Sequence, residues 1–252
     1  MWENKKKAVT FSFDDGVDED IRFIELLDKY NMKGTFNLNS GKLGLSQTRP
    51  IWKLGELEGA DTMMIEGKLY HKEFTTNHYI SYDKIKEVYK NHEVACHTLT
   101  HPNLLELDDE TILYQVEQDR KLLCELTGQE VCGLAYPCGG ANSDERIQRI
   151  LKTKTGIKYA RTNKMTFDFE MPTDLYNTNM TISFAKTKEL FELAEKFVKT
   201  EFDHPVCFAF FGHTYELQDD YASWETIEDF CKIISNKNDI FYGTCKQVYL
   251  GK

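Results

Sequence analysis

Short apolar runs and amphipathic segments alternate along this chain from one end to the other. The run at 8–13 is rich in β-branched and aromatic residues and ends at Asp14-Asp15-Gly16, which reads as a strand. After it, Ile21, Ile24, Leu26 and Leu27 fall on one helical stripe and predict a helix over about 19–30. Further strands are predicted at 34–38, 93–96, 131–136, 158–161, 178–183, 206–211 and 240–242. Helices are predicted at 83–90, 109–126, 187–199 and 224–235, and Ser143 is expected to cap another reaching about Lys152. Gly128 follows the helix at 109–126 and suits a left-handed C-terminal cap. Such alternation is the signature of βαβ units, so the expected fold is α/β with parallel strands. One stretch, 41–80, breaks the pattern with Gly41, Pro50, Trp52, His71 and His78. It is too long for an ordinary connection, and an irregular substrate-facing loop or lid is expected there.

Length and composition narrow this picture. A chain of 252 residues, 41% of them hydrophobic, suits one α/β barrel with a sizeable core, and 1–252 reads as a single domain. With 31 Lys and Arg against 41 Asp and Glu the net charge is -10, which argues against nucleic acid or an anionic membrane as partner. The run Lys5-Lys6-Lys7 is short and reads as a solvated lead-in to the first strand. No stretch is apolar for long enough to span a bilayer, and the first residues contain no apolar signal-peptide core. The seven cysteines are odd in number, scattered and mostly in apolar segments, as expected of buried thiols. A cytoplasmic location is therefore expected.

The chemistry-bearing residues fall at the C-terminal ends of predicted strands, the rim where parallel barrels assemble their active sites. Asp14 and Asp15 are adjacent; in a regular strand they would face opposite sides, but a break permitted by Gly16 can turn both into one pocket. His97 and His101, four apart, would share one face of a helical turn, and Thr98 between them can support the pair by hydrogen bonding. One carboxylate and two imidazoles make an open site for a borderline divalent ion, zinc foremost. The second carboxylate then remains free to act as a base on water. Trp52 and Trp224 could stack on a sugar ring but read more simply as packing residues, and His71 and His78 read as surface groups.

The segments Thr-Phe-Ser-Phe-Asp-Asp-Gly, His-Thr-Leu-Thr-His, Ala-Tyr-Pro-Cys-Gly and the late strand-end His213 resemble, in order and spacing, the polysaccharide deacetylases of carbohydrate esterase family 4. The resemblance covers nearly the whole chain and implies a distorted (β/α)7 barrel that removes acetyl groups with a divalent metal. By the same resemblance Asp14 is the base, Asp15, His97 and His101 are the metal ligands, and His213 is the general acid. Cys138 stands where a backbone N–H helps to hold the oxyanion, a role independent of the side chain. Two departures accompany these matches. Ala135 occupies the position of the family's Arg, whose partner is the catalytic aspartate, and Arg161 at the next strand end is the candidate replacement. The Asp-Trp pair that orients the acid histidine has no clear counterpart; Asp168 and Asp174 are the nearest candidates.

The expected substrate is an N-acetylated carbohydrate or a small amide. Two rivals stand beside deacetylation: hydrolysis of another linear or cyclic amide C–N bond on the same scaffold, and a metal- or glycan-binding protein with degraded catalysis. The lost Arg favours the second rival, and the presence of Asp14, Asp15, His97, His101 and His213 together argues against it.

Overall fold

A computed structural model describes residues 2–184 and 186–251 of the protein. Strand β1 (Lys7–Asp15) leads into helix α1 (Glu19–Lys29) and strand β2 (Gly34–Leu38). Strands β3 (Ser46–Leu54), β4 (Thr62–Ile65) and β5 (Lys68–His78) then form a sheet of their own before α2 (Ile85–Val88) and β6 (Glu93–Cys96). Helix α3 (Asp109–Thr127), β7 (Gly133–Ala135), α4 (Glu145–Lys154), β8 (Tyr159–Met165), β9 (Thr178–Met180) and β10 (Ile182–Ser183) follow. The chain ends through α5 (Thr187–Lys199), β11 (Val206–Gly212), α6 (Trp224–Ile234), β12 (Ile240–Tyr242) and α7 (Cys245–Leu250).

Eight parallel strands in the order β10-β11-β1-β2-β6-β7-β8-β9 make a nearly closed barrel, with β12 added beside the start of β1. The expected (β/α)7-type architecture is therefore present. The predicted strand at 178–183 is split at Thr181, and the split helps to close the ring. Thr181 N donates to Ala209 O at 2.8 Å, and its Oγ1 accepts from Ala209 N at 3.0 Å, which ties the β9–β10 corner to β11.

Alternation along β1 sorts its residues between two environments. Val9, Phe11 and Phe13 join Phe23, Phe36, Phe208, Phe210 and Phe230 in the layer between strands and helices. Each such aromatic, taken fully out of water, contributes about 1.5–3 kcal/mol. Ala8 belongs instead to a second cluster with Met180, Cys207, Ala209 and Phe211, beside Trp2 and Val248. Thr10, Ser12 and Asp14 are the polar alternates of the same strand and are also buried. A strand with one apolar and one polar buried face thus supplies both the core and the site.

Local chemistry sets most element ends. Asp108 caps α3 by accepting from Thr111 N at 2.8 Å, and Gly128 closes that helix at φ +73°. The cap of α4 is Asp144, one residue beyond the expected Ser143; its carboxylate accepts from Ile147 N at 2.8 Å. All seven cysteines are free thiols, five of them buried. Among the described residues no helix is long and apolar enough to cross a membrane.

The segment expected to be irregular is an antiparallel sheet in the order β3-β5-β4. Its alternation is hard to read because many of its residues are exposed or half-buried on both faces, as in β5. This sheet braces the barrel rim: Trp52 N donates to Asp219 Oδ1 at 2.8 Å, and Arg49 Nη1 lies 3.4 Å from the same oxygen.

Candidate metal centre and active site

Four rim loops converge on a cleft of about 430 Å³ lined by Asp14, Asp15, His97, His101, Cys138, Arg161 and His213, all seven residues singled out from the sequence. Backbone conformation brings the carboxylates together. Asp15 sits at φ +79° and Gly16 at φ +76°, so the strand breaks at Asp15 itself, one residue earlier than expected. A Cβ on Gly16 would stand 2.7 Å from the terminal Cδ2 of Leu38, which can shift, so it is the positive φ that favours glycine here.

The two histidines do not lie on a helical turn. Thr98 and His101 are left-handed, at φ +66° and +65°, in an irregular loop. Thr98 Oγ1 accepts from His101 N at 3.1 Å, and Asn39 Nδ2 donates to Thr98 O at 2.8 Å, which holds the loop shut. The rings still meet edge to face with centroids 4.8 Å apart. Cys138, at φ +71°, is a further left-handed residue of the cleft. Non-glycine residues in this region store backbone strain of order 1–3 kcal/mol, and Asp15, Thr98, His101 and Cys138 are four of nine such residues among those described.

Asp15, His97 and His101 each offer one ligand atom, all within 4.8 Å of one another. Asp15 Oδ1 lies 3.9 Å from His97 Nε2 and 3.7 Å from His101 Nε2, and it is buried with no hydrogen-bond partner. A buried carboxylate oxygen without a donor is costly unless a cation fills the gap, so these residues fit a metal ion. His97 Nδ1 lies 2.8 Å from Ala135 O, which fixes the proton on Nδ1 and leaves the Nε2 lone pair as the one that could hold an ion. Burial, then the neighbouring His97, pulls the His101 imidazole down to about 4, so it is neutral at ordinary pH. Buried Asp119, pushed up to about 7 by burial, accepts from His97 N at 3.1 Å and Ser40 N at 2.7 Å, and so braces the ligand loop from below.

Asp14 is held differently. Its Oδ1 accepts from Arg161 Nη2 and, at 2.9 Å, from Asn37 Nδ2, while Oδ2 lies 3.9 Å from His97 Nε2. Burial would raise the carboxyl, but the charges of Arg161, His97 and His213 hold it below the usual carboxylate value. Arg161 is itself buried, and its Nε donates to Ser12 Oγ at 2.9 Å. Ala135 and Arg161 are partners in the β7–β8 register. The guanidinium therefore starts from the strand next to Ala135, at the same level of the barrel.

His213 Nε2 stands 3.9 Å from Asp15 Oδ2 on the far side of the centre. Its Nδ1 lies 3.3 Å from Glu216 Oε2, which also accepts from His213 N at 2.8 Å. Burial pulls the ring down, but the Glu216 hydrogen bond and the charges of Glu216, Asp15 and Asp14 outweigh it and raise the imidazole to about 9. Asp168 and Asp174 lie together in a separate depression away from this ring. Glu216 was identifiable in principle from the His-x-x-Glu spacing of a capping box. Asp20 was not: it resembles an exposed residue at a helix start, yet it is buried and accepts from Thr214 Oγ1 and, at 2.6 Å, from Tyr89 OH. Neither Trp52 nor Trp224 lines the cleft, whose aromatic walls are Tyr136, Phe211 and Tyr215.

The fold and site together define an α/β barrel with a carboxylate–imidazole centre at its C-terminal rim. The family model for polysaccharide deacetylases matches residues 2–160, and the chain belongs to that family. No curated protein matches it. Among solved structures, a protein from Mycobacterium smegmatis assigned to the polysaccharide deacetylases is 13% identical, with a TM-score of 0.63 over 100% of this chain and 92% of that one. A family 4 pseudoenzyme from Bacillus anthracis is 16% identical, with a TM-score of 0.50 over 98% of this chain and 66% of that one. A polysaccharide deacetylase from Bacillus cereus is 18% identical, with a TM-score of 0.46; 67% of this chain is covered, and the chain spans only 44% of that protein.

Proposed function

We propose that the protein hydrolyses the acetamide of an N-acetylated sugar or oligosaccharide, using a divalent ion, zinc foremost, held by Asp15, His97 and His101. The observation that carries this reading is the unpartnered, buried Oδ1 of Asp15 facing both imidazole Nε2 atoms, with the second carboxylate alongside. When bound, such an ion acts as a Lewis acid toward water and the acetyl carbonyl. Asp14 takes the proton of the attacking water on Oδ2, because Arg161 and Asn37 occupy Oδ1. The Cys138 N–H supports the oxyanion, and His213 delivers a proton to the departing nitrogen. Acetate and a free amine result.

Acetate release from a panel of N-acetylated sugars tests the reading, with Asp14→Asn as control. That variant should lose about 10²–10⁴-fold in rate. Retention of metal without turnover on any acetylated sugar would sink the proposal, and turnover confined to cyclic amides would favour the other hydrolase.

His213 gives a second check. Glu216→Gln keeps an acceptor for the His213 N–H but removes the carboxylate charge that helps to raise the ring to about 9. A raised imidazole stays protonated until the pH passes its folded value. The alkaline limb of the pH–rate profile should therefore move to lower pH in the variant. An unmoved limb would separate His213 from the proton delivered to the leaving group.

A further inference from the structure

We infer that the added β3-β5-β4 sheet is a working part of the site: Arg49, on its edge strand β3, positions His213 through Tyr215. The inference rests on the reading of His213 as the acid. His213 caps the short 3₁₀ turn Thr214–Gln218, which also carries Tyr215 and Glu216. Glu216 cannot fix the imidazole alone. Its Oε2 meets Nδ1 at 3.3 Å, long for such a bond, and one contact at one ring atom leaves the ring plane free to swing. The half-buried Tyr215 ring supplies the second constraint. It stacks on the imidazole with centroids 4.7 Å apart and planes 20° from parallel.

Arg49 holds that tyrosine from the sheet. Its guanidinium carbon lies 4.6 Å from the centre of the Tyr215 ring, and Nη2 donates to Tyr215 O at 2.5 Å. The other nitrogens are engaged too. Nε donates to Asn77 Oδ1 at 3.3 Å, and Nη1 donates to Pro50 O at 2.6 Å and lies 3.4 Å from Asp219 Oδ1. Arg49 is buried, and a planar fork bound at every nitrogen has little freedom to turn. The free edge of β3 clamps the far end of the same turn. Lys53 Nζ donates to Gln218 O at 3.0 Å, Leu54 N to Asp220 Oδ2 at 2.8 Å, and Asp220 N to Trp52 O at 2.9 Å. The turn that bears the acid is therefore bound by the sheet along one side, with Arg49 at the end nearest the imidazole.

The test compares Arg49→Met with the unaltered, zinc-loaded protein on an N-acetylglucosamine trimer and on 4-nitrophenyl acetate. A departing amine needs a proton, whereas 4-nitrophenolate leaves without one, so a displaced acid slows chiefly the first reaction. Misplacement by about 1 Å can cost about 10²-fold, so kcat on the trimer should fall about 10–100-fold. KM should change little and aryl acetate hydrolysis should fall far less, the split that His213→Ala should also show. Arg49→Lys keeps the charge but not the fork, and should recover part of the loss. A second readout needs no turnover. In proton NMR the His213 ring signals, assigned with His213→Ala, should lie upfield because of the Tyr215 stack. In Arg49→Met they should move toward ordinary histidine values with zinc content unchanged. Unmoved signals, or equal losses on both substrates, overturn the inference, because Arg49 then serves the fold at large. Loss of zinc from Arg49→Met also overturns it, since the sheet would then support the metal ligands instead. Should Arg49→Met not fold, Arg49→Lys is read in the same way, and an unchanged split with unmoved signals overturns the inference. Failure to release acetate from any N-acetylated sugar would sink the deacetylase reading, and the His213 signals would then decide the positioning by themselves.

Discussion

His101→Ala should lose bound metal on dialysis and release acetate at least about 10²-fold more slowly than the unaltered protein. Loss of an outer partner of a metal ligand costs about 10–100-fold in affinity or activity, and loss of a ligand should cost more. His101 supplies one of three donor atoms that lie within 4.8 Å of one another. Asp15 Oδ1 faces both Nε2 atoms, and His97 is locked by Ala135 O with a single nitrogen to offer. His101 is half-buried, so its loss opens a gap that water can enter. Thermal stability gives an independent readout. A ligand that binds only the folded state stabilises it by about 4 kcal/mol at a thousand times its Kd, so chelation should lower the Tm of the unaltered protein. The Tm of His101→Ala should respond much less. Equal metal content in both proteins after dialysis would remove His101 from the centre.

The legibility of this chain follows the range of the interactions. The strand-end positions of Asp14, Asp15, His97 and His213 could be read because each closes a short apolar run, and a parallel barrel puts all such ends on one rim. Arg161 could be reached by the same logic, since the end of the next strand is the nearest place for a displaced cation. The left-handed loop at 97–101 could not, because an i,i+4 histidine pair reads as a helix unless the contacts of Thr98 and Asn39 are known. Asn37, Asp119 and Asp20 stayed hidden for a related reason. Each is an ordinary polar residue in sequence, and its role depends on lateral packing between elements as far apart as Asp20 and Thr214. The β3-β5-β4 sheet stayed hidden because residues half-exposed on both faces erase the alternation that marks a strand.

Arg161→Met isolates the interaction in which this chain departs from the family pattern, and it should reverse the pH dependence of stability. In the unaltered protein the Asp14 carboxyl lies below its ordinary value despite burial, because Arg161 leads the charges that oppose it. A lowered carboxyl contributes stability that is fully present above the unfolded value of 3.8 and is lost as pH falls through the folded one. Without the guanidinium, burial dominates and the folded value rises above the unfolded one. The variant should then lose stability as pH rises through that new value, because the unfolded chain ionises first. Stranding one member of a buried pair costs about 3–5 kcal/mol when the remaining charge is kept, and protonation of Asp14 relieves part of it. Denaturant melts at pH 5 and pH 8 should therefore show the deficit growing toward pH 8. Activity should fall in parallel, with the acid limb of the pH–rate profile moved to higher pH, because a protonated Asp14 cannot accept a proton. Arg161→Lys should restore the direction of both effects but not their full size, since one ammonium cannot reach Ser12 Oγ and Asp14 Oδ1 as the guanidinium fork does. Unchanged activity and an unchanged profile in Arg161→Met would show that Asp14 does not depend on this partner.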